Sequence, residues 1–124
     1  MGDSKETKSS SRSSMSEGTK YDPNHPFYLH HSDQPGVSLV TQPLRENNYS
    51  TWSLSMTMAL QAKNKMGFVD GSIKKPAEGS QEDMQQWGRC NVLVKTWLLS
   101  SIFKEISASV IYCELASQMG AELK

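Results

Sequence analysis

Two stretches of the chain carry apolar residues at helical spacing. In the first, Tyr49, Trp52, Met56, Ala59 and Leu60 fall at i, i+3, i+7, i+10 and i+11. At 100° per residue they share one stripe about 100° wide, the width of a core-facing surface. Asn47 or Asn48 can cap the start, so the spacing predicts a helix over about 48–65. Leu54 and Met58 fall on its far side. In the second stretch, Met84, Trp87, Asn91, Val94, Leu98 and Ile102 form one stripe, widened by Cys90 and Trp97. Val92, Leu99 and Phe103 lie opposite. A helix apolar round most of its circumference belongs at the centre of a fold. Its start, "SQED", is like a capping box: Ser80 can accept from a first-turn amide, and Glu82 and Asp83 suit the positive helix end. A helix over about 80–103 follows.

Between these stretches, "MGFVDGSIKKPAEG" carries Gly67, Gly71, Pro76 and Gly79, which end the first helix. Phe68, Val69 and Ile73 are expected to plug the base of the core. Beyond the second helix, Val110, Cys113, Ala116 or Ser117, and Leu123 keep helical spacing, with Ile111, Leu115 and Met119 alongside. A third helix is expected over about 107–124, with Gly120 inside it at a cost of about 1 kcal/mol relative to Ala. The pattern is still running at Lys124, as in a truncated element. The interior is expected to hold Trp52, Met56, Leu60, Trp87, Val94, Leu98 and Ile102.

The N-terminal third reads differently. Residues 1–20 contain seven Ser and no aromatic, Val, Ile or Leu. Burial there cannot offset the entropy of ordering the backbone, so a disordered tail is expected. Pro23, Pro26, Pro35 and Pro43 punctuate residues 21–46 and disfavour helix before each. "DQPG" predicts a type II turn with Pro35 and Gly36 at its centre. "VSLVT" suggests a short extended strip. Residues 21–46 are therefore read as an extended Pro-rich arm anchored by Phe27, Tyr28, Leu29, Leu39 and Val40. The expected organisation is tail 1–20, arm 21–46 and helical domain 47–124, an all-α small bundle.

Charge narrows the function. Thirteen basic and thirteen acidic residues cancel, unlike the concentrated positive charge that drives phosphate-backbone binding. Lys63 and Lys65, with Lys74 and Lys75, flank the first break with Phe68 between them. Asp70, Glu78, Glu82 and Asp83 oppose this patch, so nucleic-acid contact is the weaker reading. Cys90 and Cys113 form no CxxC pair and are not spaced with His25, His30 and His31 as zinc ligands are. They are read as reduced core thiols of an intracellular, cytoplasmic or nuclear protein. "HPFYLHHSD" offers His25, His30, His31 and Asp33, but adjacent histidines point apart in an extended strip. No metal or other cofactor is expected. Glu6 spoils a myristoylation pattern in "MGDSKET", and no apolar run approaches a membrane span. No GxSxG elbow or patterned His–carboxylate pair is present, so neither enzymatic activity nor a small-molecule substrate is expected. Asn91, polar within an apolar stripe, is expected to tie down a neighbouring loop backbone. Leu54, Met58, Val92 and Leu99, left on far faces, form a candidate self-association surface.

"NHPFYLHHSDQPGVSLVTQPL", "NYSTWSLSMTMALQAKNKMGFVDGSI" and "WGRCNVLVKTWLLSSIFKEISASVIY" occur in order. Together they resemble the N-terminal Gag-type domain of copia-type LTR retrotransposons, a form abundant in plant genomes, over roughly residues 22–119. The resemblance implies a helical, non-enzymatic structural module that assembles with itself or other Gag-like chains around element RNA. Two positions depart from the family pattern. Glu46, Asn47 and Asn48 stand where a Gly-Asn pair is usual, and Gly120 stands where Trp is common. The alternatives are a weak RNA-binding module or a relic fragment with no selected function.

Overall fold

The computed structural model describes residues 21–77 and 80–124. The expected tail over 1–20, and Glu78 and Gly79, lie outside the described residues. The fold is all-α: α1 is Tyr49–Ala62, α2 Gly67–Asp70, α3 Gln81–Ser100, α4 Lys104–Ser107 and α5 Ala116–Leu123. One isolated parallel bridge joins Leu44 to Ile102.

Helix α3 is the axis of the core. Ser80 takes an extended conformation and its hydroxyl accepts from the Asp83 amide at 3.0 Å, which sets the start. Cys90, Val94, Trp97 and Leu98 are buried along its length. Helices α2, α3 and α5 touch one another. Helix α1 joins the same cluster through Trp52, Met56 and Leu60. All seven residues assigned to the interior from their spacing are buried, though Ile102 sits in the bridge just past the end of α3. Each tryptophan also fastens a connecting segment through its indole N–H. Trp52 donates to the Ser101 carbonyl at 2.9 Å, Trp87 to Ile73 at 3.1 Å and Trp97 to Gln34 at 2.8 Å. A buried indole that lacked such a partner would cost free energy.

Helix α1 stops at Ala62, short of the expected 65. Asn64 takes a left-handed conformation (φ 60°), which Asn tolerates better than most residues. Its amide bonds to the Gln61 carbonyl and that of Lys65 to the Leu60 carbonyl, the Schellman pattern of helix ends. That reversal turns Lys65 inward instead of continuing the helical surface.

Of the expected third helix over 107–124 only α5 is helical, and α4 ends at Ser107, where that helix is expected to begin. After α4, residues 108–115 run through tight turns, with bonds such as Val110 amide to Ser107 carbonyl and Cys113 amide to Val110 carbonyl. Leu115 is extended, and α5 then starts at Ala116. The cause lies on α3. Asn91 Oδ1 accepts from the Ala116 amide and Asn91 Nδ2 donates to the Glu114 carbonyl, both at 2.9 Å. A buried side chain thus supplies the cap that a restarted helix needs. Gly120 is a packing residue: a Cβ there would lie 2.6 Å from Val69 Cγ1 and 3.2 Å from the Val69 carbonyl oxygen, so α5 sits directly on α2.

Residues 21–46 follow successive turns and not an extended line, with bonds such as His25 amide to Asp22 carbonyl, Tyr28 to His25 and Asp33 to His30. Asx-type bonding explains part of this, since the Asp22 carboxylate accepts from the Asn24 amide. The turn at Pro35 and Gly36 forms, with the Val37 amide donating to the Gln34 carbonyl. It is not type II, because Gly36 lacks the positive φ that type II requires. Of the expected anchors, Phe27 is buried, Leu29, Leu39 and Val40 pack partly against the core, and Tyr28 is half-buried.

Candidate interaction surface

Helix α1 presents its core stripe inward, so residues two and six positions after Trp52 face outward. Leu54 and Met58 are 64% and 60% exposed. They lie one helical turn apart and therefore share a face. On α3, Val92 is 56% exposed. Leu99 belongs elsewhere: it is half-buried and packs against the core, so it leaves the proposed surface. Ile111 and Tyr112 are exposed, Tyr112 at 91%. Helical spacing does not single them out, because both fall within the expected continuous helix over 107–124. A groove of about 260 Å³ runs between α1 and α5, floored by Trp52, Met56, Leu60, Val69 and Leu98, with Asp70 and Lys124 at its polar margin.

The four lysines considered for nucleic acid are not assembled as a patch. Lys65 is only 1% exposed and cannot reach a phosphate from its position. Its Nζ donates to the Tyr28 carbonyl at 2.8 Å. Burial pushes its pKa below the ordinary lysine value, while Cys90 and Asp33 pull the other way. Lys63 pairs with Asp33 at 2.9 Å, and its ammonium lies 5.3 Å from the centre of the Trp97 ring. Burial alone would raise the Asp33 pKa. The His30 amide and the Lys63 ammonium outweigh it and hold the carboxyl below its usual range. Lys74 reaches back to the Gly71 carbonyl at 3.1 Å, and both Lys74 and Lys75 are exposed.

The histidines serve the local turns. His25 Nδ1 accepts from the Phe27 amide at 3.0 Å, and the His25 ring packs on Tyr21 and Phe27. The His30 ring meets Tyr28. Among the described residues, no group of three or more His, Cys, Asp and Glu side chains is arranged to hold a metal ion. Cys90 is fully buried, and burial pushes its thiol up to about 11 although Lys65 pulls it down.

The geometry is thus one of packing faces and satisfied polar groups, with apolar side chains left over on α1 and α3. Residues 30–77 match the family described as the Gag-polypeptide of LTR copia-type. This segment is copia-type Gag-like. The match runs from His30 through α1 and α2, and so takes in Asp33, Lys63, Lys65, Leu54 and Met58 but none of α3. No curated protein and no solved structure matches the chain. No helix among the described residues is long and apolar enough to cross a membrane.

Proposed function

We propose that the chain is a non-enzymatic Gag-like structural module that associates with copies of itself or with other Gag-like chains. The observation that carries this reading is the exposure of Leu54 and Met58 on the outer face of α1, inside the segment that matches the copia-type Gag family. Val92 offers a second contact on α3. Fully burying such a side chain contributes about 1.5–3 kcal/mol. A two-fold contact uses each residue twice. Association itself costs roughly 4–15 kcal/mol in lost freedom, so the surplus is small and binding is weak and concentration-dependent.

Sedimentation velocity over a concentration series tests this. The native chain is expected to shift from monomer toward larger species, and Leu54→Glu with Met58→Glu to abolish the shift. A native chain that stays monomeric throughout the series refutes the reading. RNA is the weaker partner: of the four lysines considered, Lys65 is buried and Lys63 is paired, which leaves Lys74 and Lys75.

A further inference from the structure

Residues 21–37 are held on the helical body as a bound peptide is held. Phe27 is the one buried residue in this stretch. The body addresses the backbone of the rest. Asn64 Nδ2 donates to the Asn24 carbonyl, Gln86 Nε2 to Phe27, Lys65 Nζ to Tyr28 and Trp97 Nε1 to Gln34, all at 2.8–2.9 Å. Lys63 adds the ion pair with Asp33. Two of these donors, Lys65 and Trp97, belong to almost wholly buried residues, so the segment covers groups that would be costly to leave unpaired. An aromatic anchor with main-chain recognition alongside is how proteins seat peptide segments.

The connection to the rest of the chain is held by side-chain packing alone, with Leu39 and Val40 partly against the core. Residues 38–42 make no backbone hydrogen bond to a helix among the described residues. Pro43 follows this linker and stiffens its far end. Fully extended, its five residues reach roughly 17 Å. Firm pairing resumes at Leu44, whose amide donates to the Ser101 carbonyl at 2.8 Å.

We propose that this seat accepts residues 21–37 of a second copy of the chain, giving a dimer in which each copy docks its segment on the other. The occupant follows from complementarity: the seat's anchor pocket, donors and Lys63 already fit this sequence, and a second copy carries the same Phe27, carbonyls and Asp33. Exchange remakes each contact once per chain, so the two arrangements differ mainly in association entropy and in the linker. High local concentration favours the exchanged form. This contact uses a different surface from Leu54, Met58 and Val92 and does not depend on them.

Charge reversal tests it in the full chain. Asp33→Lys sets two ammonium groups against each other within one molecule, and Lys63→Asp sets two carboxylates. In an equimolar mixture, exchange restores opposite charges at both seats, which neither variant can do alone. Native mass spectrometry is expected to show the mixed dimer in at least about tenfold excess over either homodimer, because like-charge contacts are costly. The chain carrying both D33K and K63D is expected to behave as the native one. No excess of mixed dimer overturns the proposal.

A second measurement avoids variants that fail to fold. Isotopically heavy and light native chains are mixed at high concentration and coupled with a carbodiimide, which joins Lys63 to Asp33 without a spacer. Mixed-isotope Lys63–Asp33 peptides in the dimer fraction support exchange. Same-isotope peptides alone, or the absence of a dimer fraction, overturn it. A dimer with same-isotope peptides that is lost on Leu54→Glu rules out exchange while leaving the helix-face association standing.

Discussion

Replacing Asn91 with Ala removes the cap that restarts the chain at α5. Asn91 is buried and holds both sides of the Glu114–Ala116 junction, accepting from one amide and donating to one carbonyl at 2.9 Å each. The two halves are unequal. Ala116 is fully buried, so its amide loses its partner with no water to replace it, at about 1–3 kcal/mol. Glu114 is exposed, so its carbonyl can turn to solvent and its bond counts for about 0.5–1.5 kcal/mol. The total is roughly 2–4 kcal/mol, a large share of the 5–15 kcal/mol typical of a small domain. At about 4–8 °C per kcal/mol, Asn91→Ala is expected to lower Tm by roughly 10–25 °C. Hydrogen exchange should locate the loss at 116–123 first, because α5 is short and docks on α2 and α3 as a unit. Asn91→Leu, which fills the space but makes neither bond, is expected to fall as far. A loss below about 0.5 kcal/mol in either variant, within the range of an ordinary surface change, would refute the capping role and with it the account of why residues 107–124 are not one helix.

Gly120→Ala should destabilise the protein by about 1–3 kcal/mol in spite of the better helix propensity of Ala, because the new methyl meets Val69; adding Val69→Ala should recover part of the loss in the same melting assay. The Cys90 thiol ionises near 9.0 in the unfolded chain and is pushed up to about 11 in the fold. Its contribution is therefore fully present below pH 9 and lost between pH 9 and about 11, and Cys90→Ala should flatten that part of a stability–pH curve. Lys65 acts in the opposite sense: its folded pKa is depressed, so its share of stability grows as pH rises through the folded pKa toward 10.5, and Lys65→Met should steepen the alkaline loss.

Helical spacing made α1 and α3 legible because each buries one stripe against the other elements, and periodicity records that directly. It failed where the deciding contact is not periodic. Lys65 reads as a solvated helix residue until Asn64 turns left-handed and directs it under residues 21–37. Asn91 reads correctly as a tie to a loop, but nothing local says that the tie falls at Glu114–Ala116 and divides a helical pattern. Gly120 reads as a helix defect, whereas across space it is the point where α5 can lie against Val69. Leu54 and Met58 were legible as outward residues from the same phase that buried Trp52 and Met56. Leu99 was not, because α3 is surrounded on more than one side and its far face is still partly core.

The same distinction bears on what the family match covers. Residues 30–77 supply Trp52, Met56, Leu60 and Phe68 to the core, but Trp87, Val94, Trp97 and Leu98 come from α3, outside the match. The tie at the start of α1 is also external, since Leu44 and Trp52 both donate to the carbonyl of Ser101. A peptide of residues 30–77 would therefore leave its apolar stripe in water and two donors without their acceptor. Helix α1 has 14 residues, near the lower limit of length for an isolated helix in water, and no acidic residue in its first turn or basic residue in its last to offset that. Circular dichroism is expected to show little helix in this peptide and to show it restored when 80–124 is added in trans. A peptide that is strongly helical alone would mean that the matched segment folds by itself, and that α3 is an addition to the Gag-like unit and not its centre.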